Sequence, residues 1–288
     1  MSIKVLLNDA FFLQQTERNE SALTLICVAI AASSRKRFPI GTQSIKKPTT
    51  ISKKKVKINE MGDREAFILF FNDCYNKMFL GASRTEDAFT EVTSYTIKNK
   101  NIFLSDILYK HYRCQLVHEG GLNSESMFIH DVQNPNLTMN TQWGEAKLKI
   151  ENDRVILSYG WFEVLVNLVY NATVNGDEFD INYHGYKAIE NCDEKKHRND
   201  VSLKYGVDHA DGAYRYFIDM IGMILNSNNE AELNYELTRC RDEGLNLPAF
   251  EVYLDRPGLS DDGGKTINKK GFDYFKEYFS IYQYVKLN

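Results

Sequence analysis

Apolar positions recur at helical spacing from about Val5 to Gln15 and again from Ser21 to Ser34, which predicts two helices, the second with Asn19 and Ser21 as candidate caps. Between Pro39 and Gly62 the periodicity stops. Gly41, Pro48, a Thr/Ser cluster and six lysines (Lys46, Lys47, Lys53, Lys54, Lys55 and Lys57) describe a long basic loop there rather than an element. Asp63 is placed to cap a third helix reaching about Phe79. Its Phe67, Phe70, Phe71, Cys74, Tyr75 and Met78 recur at spacings of three and four, one stripe read as core. A fourth helical pattern runs from about Leu104 to His118, with Ser105 or Asp106 near its start and Gly120-Gly121 as its stop.

Further on, the pattern changes period. AKLKI and RVILSY alternate apolar with polar residues around Glu151-Asn152-Asp153 and predict a β-hairpin; a largely apolar helix follows from about Trp161 to Ala172. From Asn175 the chain turns acidic and rich in Gly and Asn, which places a boundary near residue 175. The expected fold class is therefore mainly α: a helical bundle with a β-hairpin insert over 1–175, then a smaller α+β unit over 176–288. In that second unit helices are expected over about 213–225, 230–243 and 271–285, with a strand at 249–254.

Composition narrows the class. With 288 residues, 43% hydrophobic and 26% charged, the chain is an ordinary globular one, and disordered, collagenous and solenoid readings fall away. The longest apolar run, residues 22–32, is shorter than the roughly 20 residues of a membrane span, so no membrane partner and a cytoplasmic location are expected. Five widely spaced cysteines without a C-x-x-C pair read as free thiols. Charge is uneven: residues 1–57 hold 11 Lys/Arg against 3 Asp/Glu, and the remainder 24 against 36. A basic N-terminal third fits a nucleic-acid surface, although such runs are more often simply solvated.

The fourth helix carries the candidate chemistry. It reads LYKHYRCQLVHEGG and contains Arg-x4-His at Arg113 and His118. Together with ALTLICVAIAASSRKRF, DREAFILFF and RVILSYGWFEVLVNLVYNA, this order of segments resembles the HEPN family over about residues 18–175. The resemblance implies a HEPN-like bundle and a metal-independent endoribonuclease, with no cofactor, whose site forms where two motif helices meet in a homodimer. It also implies a toxin or defence effector, with an antitoxin or regulatory protein as a further partner. Arg113 and His118 would be catalytic. RNA cleavage without a metal needs a base for the 2′-hydroxyl proton and a cation for the phosphorane, and histidine and arginine suit those tasks. Glu119, His111 and Lys110 are expected in support, and the six lysines of the basic loop as RNA contacts. In a straight α-helix a spacing of five separates two side chains by about 140°, so Arg113 and His118 are expected to flank a cleft more readily than to touch.

Cys114 departs from the family pattern, where a small polar residue commonly follows the arginine. This favours the alternative of a non-catalytic HEPN module that binds RNA or a protein. Arg113 paired with an acidic neighbour, and His118 donating to a carbonyl at its helix end, would be the plain structural roles. GLSDDGGKT, residues 258–266, has the wrong glycine spacing and two aspartates where phosphates would lie, and reads as an acidic turn rather than a phosphate loop. His184, Cys192, His197 and His209 match no zinc module.

Overall fold

The computed structural model describes residues 2–52, 55–80, 93–208, 220–242, 253–255 and 257–287, with Tyr214 and Phe217. It divides into two compact units, Met1–Tyr183 and His184–Leu287. The chain is mainly helical with small sheets.

In the first unit, α1 (Ile3–Gln15) buries Ile3, Leu6, Leu7 and Ala10 against α2 (Asn19–Arg37), whose Ala22, Leu23, Ile26 and Ile30 complete the seam. Neither Asn19 nor Ser21 caps α2: Arg18 is the residue before its first turn, and no side chain caps it there. The basic segment is more ordered than its composition suggests. It forms a hairpin of β1 (Thr49–Ser52) and β2 (Lys55–Ile58), with Thr49 opposite Ile58 and Ser52 opposite Lys55. Val56 and Ile58 do alternate with Lys55 and Lys57, but a run of four residues beside Pro48, the Thr/Ser cluster and the other lysines is too short to stand out as a strand.

Helix α3 (Asp63–Leu80) buries Phe67, Phe70 and Phe71 and packs on α2. A second hairpin follows, β3 (Ser94–Ile97) with β4 (Lys100–Phe103), turned by Lys98 and Asn99, both at positive φ. It leads into α4, which opens at Leu104–Ile107 and continues through π-wound Leu108–Arg113 and Gln115–Glu119. Phe103 stands before its first turn, so neither Ser105 nor Asp106 is the cap.

The expected hairpin is part of a larger sheet. β7 (Gly144–Glu151) and β8 (Arg154–Ser158) pair antiparallel through Asn152 and Asp153, both left-handed, as a two-residue hairpin turn requires. β6 (Leu137–Thr141) adds antiparallel to β7, and β5 (Ser126–Ile129) parallel to β8, giving the order β5-β8-β7-β6. Helix α5 (Trp161–Tyr170) is almost wholly buried between this sheet and α2 and α3. Its one carboxylate, Glu163, accepts the Gln142 and Trp143 amides at 2.8 Å each, which satisfies the charge.

The boundary lies later than residue 175. Thr173–Phe179 forms a 3-10 turn that belongs to the first unit, because Glu178 accepts the Ser2 hydroxyl and the Ile3 and Lys4 amides and pairs with Lys36. The second unit begins with β9 (His184–Ala188) and continues through α6 (Glu194–Tyr205), α7 (Ile221–Asn226), α8 (Glu230–Asp242) and α9 (Lys269–Tyr278) to β10 (Tyr282–Lys286). The aromatic helix therefore stops at Tyr278, and the chain returns as a strand antiparallel to β9. Its Phe272, Phe275, Tyr278 and Phe279 are buried core. Residues 249–252 of the expected strand lie outside the described residues, as do most of 213–219, and 253–255 are helical. Asp262 accepts the Lys265 and Thr266 amides and both neighbouring hydroxyls, so residues 258–266 form a self-satisfied acidic turn.

Candidate active site

Helix α4 faces two ways. Leu108, Tyr112 and Leu116 enter the core, where the Tyr112 hydroxyl donates to the Met127 and Val155 carbonyls at 2.9 and 3.1 Å. Gln115 Oε1 accepts the Asn123 amide at 3.1 Å and fixes the chain beyond the helix end. These contacts lock the rotation of the helix and present Tyr109, Arg113 and His118 elsewhere. Gly120 ends the helix at φ 79°, a left-handed value that favours glycine.

Arg113 and His118 touch. The Arg113 Nη1 and His118 Nε2 are 2.5 Å apart. The cause is the winding: hydrogen bonds from i to i+5 put residues five apart roughly one above the other, whereas an α-helix would hold them well apart. A guanidinium only donates, so Nε2 accepts here and the ring proton sits on Nδ1. The Arg113 guanidinium also lies 5.3 Å from the Tyr109 ring centroid, over a ring that packs edge-on against Phe67 of α3.

Two further arginines surround this pair. Arg35 from the last turn of α2 donates Nε and Nη2 to Asp63 Oδ1, at 2.9 Å for Nε, and Nη1 to the Met61 carbonyl at 3.2 Å. Arg64 is held by Asp106 of α4 at 2.6 and 3.1 Å. The Arg35 hydrogen bond holds the Asp63 carboxyl below its usual range, with the Arg113 charge acting in the same direction. Burial pushes the Cys27 thiol up to about 12 against the nearby Arg113, leaving it uncharged. Asp63 is thus an ion-pair partner of Arg35, and Asp106 one of Arg64. Arg35, Asp63, Arg64, Asp106 and Tyr109 went unpredicted as site neighbours. The cluster SRKR at the end of one helix and DRE at the start of the next are its traces in the sequence.

The remaining expected residues divide. His111 is only 3% exposed, with Nδ1 3.4 Å from the Ser126 hydroxyl and Nε2 buried without a partner, so it belongs to the core and not to the Arg113–His118 face. Burial, followed by the Lys110 charge, holds its pKa below the ordinary histidine value. Lys110 is exposed, and its charge acts on His111 and Glu125. Glu119 is exposed, and no hydrogen bond joins it to His118 among the described residues. Lys46 and Lys47 are exposed at the start of the basic segment, which Glu65 anchors by accepting the Ser44 hydroxyl and the Ile45 and Lys46 amides at 2.8 Å. Lys55 and Lys57 lie at alternate positions of β2; Lys53, Lys54 and, in the second unit, His209 lie outside the described residues.

A family model known as Rv1289 matches residues 2–191. The chain belongs to the Rv1289 family. The Rv1289 match takes in the whole first unit and the first strand of the second, and includes Arg113, His118 and the three-arginine cluster. No curated protein and no solved structure matches the chain. Among the described residues no helix is long and apolar enough to cross a membrane.

Proposed function

We propose that this chain is a metal-independent endoribonuclease of the HEPN type, acting as a homodimer in which two copies of α4 form one cleft. The observation that carries the proposal is the direct contact between Arg113 and His118, held by the π-wound helix and backed by Tyr109. In this arrangement the guanidinium occupies the lone pair of the prospective base. An entering phosphodiester offers Arg113 two oxygens in place of one ring nitrogen, which suits its forked donors better. His118 Nε2 then takes the 2′-hydroxyl proton while the 2′-oxygen attacks phosphorus. Arg113 holds the charge of the five-coordinate phosphorus, and the departing 5′-oxygen takes up a proton from the second copy's imidazole or from water. The products are a 2′,3′-cyclic phosphate and a free 5′-hydroxyl. Lys46 and Lys47, with the rest of the basic hairpin, supply backbone contacts that weaken with salt. A role as toxin or defence effector, restrained by a regulatory protein, rests on the family resemblance alone.

Cleavage of end-labelled RNA in EDTA, compared with Arg113→Ala and His118→Ala proteins of unchanged fold and mass, tests the reading. Cyclic-phosphate ends formed only by the unaltered chain support it. Equal inertness of all three favours the second reading, a non-catalytic module binding RNA or a protein, to which Cys114 points.

A further inference from the structure

The first unit holds a cavity of about 220 Å³ between the end of α2, the second half of α3, the end of α5 and the residues that follow it. Phe70, Met78, Leu168 and Val174 supply its apolar wall. Burial pushes the Cys74 thiol up to about 12, so that wall carries no charge from it.

The polar lining is asymmetric. Asp73 and Lys77 neutralise one another across 2.9 Å. Arg37, also in the lining, has no carboxylate partner among the described residues; its guanidinium lies 5.9 Å from the Phe38 ring centroid, and the residue is exposed. The Asn167 side-chain amide and the Thr173 hydroxyl, both half-buried at the lining, also make no hydrogen bond among the described residues. Among the described residues, one cation without a carboxylate partner, two neutral polar groups without a hydrogen bond and a mostly apolar wall are the composition of a small-molecule site. The charges in the lining sum to one positive, which calls for one negative charge in the occupant.

We propose that this cavity binds a small amphiphilic monoanion, a carboxylate on a short hydrocarbon body, with the carboxylate on Arg37 and the hydrocarbon against Phe70, Met78, Leu168 and Val174. Asn167 and Thr173 are then within the lining to meet a second polar atom. The proposal is independent of the ribonuclease reading, since none of these residues belongs to the Arg113–His118 group.

Titration of the full-length protein with hexanoate by calorimetry, alongside the methyl resonance of Met78, tests it. Hexanoate is expected to saturate at one per chain and to shift the Met78 methyl. Hexan-1-ol and inorganic phosphate, each lacking one half of the ligand, are expected to bind about tenfold more weakly or less. Arg37→Met keeps the stem of an exposed side chain and is expected to weaken hexanoate by about tenfold, the scale of one charge-assisted hydrogen bond. Absence of saturable binding overturns the proposal. So does phosphate or hexan-1-ol binding as tightly as hexanoate, or equal affinity in the Arg37→Met protein.

Discussion

At the residue scale, the contact between Arg113 and His118 depends on side chains that do no chemistry. The Tyr109 ring supports the guanidinium by cation–π attraction, worth roughly 0.5–1 kcal/mol at a partly exposed site. On the proposed ribonuclease reading, Tyr109→Leu is therefore expected to slow RNA cleavage by about fivefold, and Tyr109→Phe to leave it nearly unchanged, both read as single-turnover rates. His111 makes the opposite case. Its imidazole is buried and held neutral, so the folded state binds fewer protons than the unfolded one as pH falls below about 6.5. Its contribution is complete above that pH and is lost as pH falls through the depressed folded value. His111→Leu is expected to flatten the loss of stability below pH 6.5 in denaturant titrations and, on the proposed ribonuclease reading, to leave cleavage at pH 7.5 in place. A large loss of cleavage with retained fold would place His111 in the site after all.

Among the elements, the π-wound α4 sets the contact between Arg113 and His118, and Glu178 ties the two ends of the first unit together. Gly120 releases the helix just after His118 in a left-handed conformation. Gly120→Ala is expected to cost about 1 kcal/mol, lowering the melting temperature by about 2–4 °C, with Asn at the same position costing less. Glu178 acts on α1 from 175 residues away, accepting its first amides in place of a local cap. Burial raises its pKa, but hydrogen bonds from Lys36, Ser2 and Lys4 outweigh that and hold the carboxyl at about 2. Its stabilising contribution is complete above about pH 4.5 and disappears as pH falls toward 2. Glu178→Gln is expected to lose about 2 kcal/mol near neutral pH and to remove that acid-side slope, as measured by urea unfolding at several pH values. A slope that survives the substitution would move its origin to other carboxylates.

What the sequence makes legible follows from where the signal is local. Helices α1, α2, α3 and α5 carry apolar stripes or runs, and Gly120 marks a stop, so these elements stand within a few residues of their expected places. β9 and β10 hide because they form a two-stranded pair in which polar and aromatic residues replace the alternating apolar face, and β1 and β2 because four-residue strands among Pro48, Thr, Ser and Lys read as loop. The π winding hides for another reason. No residue type marks it, and it changes the angle between Arg113 and His118 from open to touching. Asp63 and Asp106 read as caps because a cap and an ion-pair partner use the same carboxylate; only the neighbouring helices decide which role it takes.

For the whole molecule, the pairing of β9 with β10 governs where the chain can be divided. The second unit closes on itself, its first strand hydrogen-bonded to its last, from Ala188 opposite Tyr282 to His184 opposite Lys286. A chain ending at residue 183 omits both strands of that pair and so leaves neither unpartnered, and the first unit keeps its own core and all of the Arg113–His118 group. One ending at residue 191, where the Rv1289 match stops, would retain β9 without its partner. Such an edge offers free backbone groups to other chains. Fragment 1–183 is therefore expected to unfold cooperatively and to stay soluble, whereas 1–191 aggregates at lower concentration in light scattering. Equal solubility of the two would show that the free strand finds cover elsewhere. On the proposed ribonuclease reading, retention of RNA cleavage by 1–183 would mean that the site is complete without the second unit, and its loss from a folded fragment that the second unit supplies something the reaction needs.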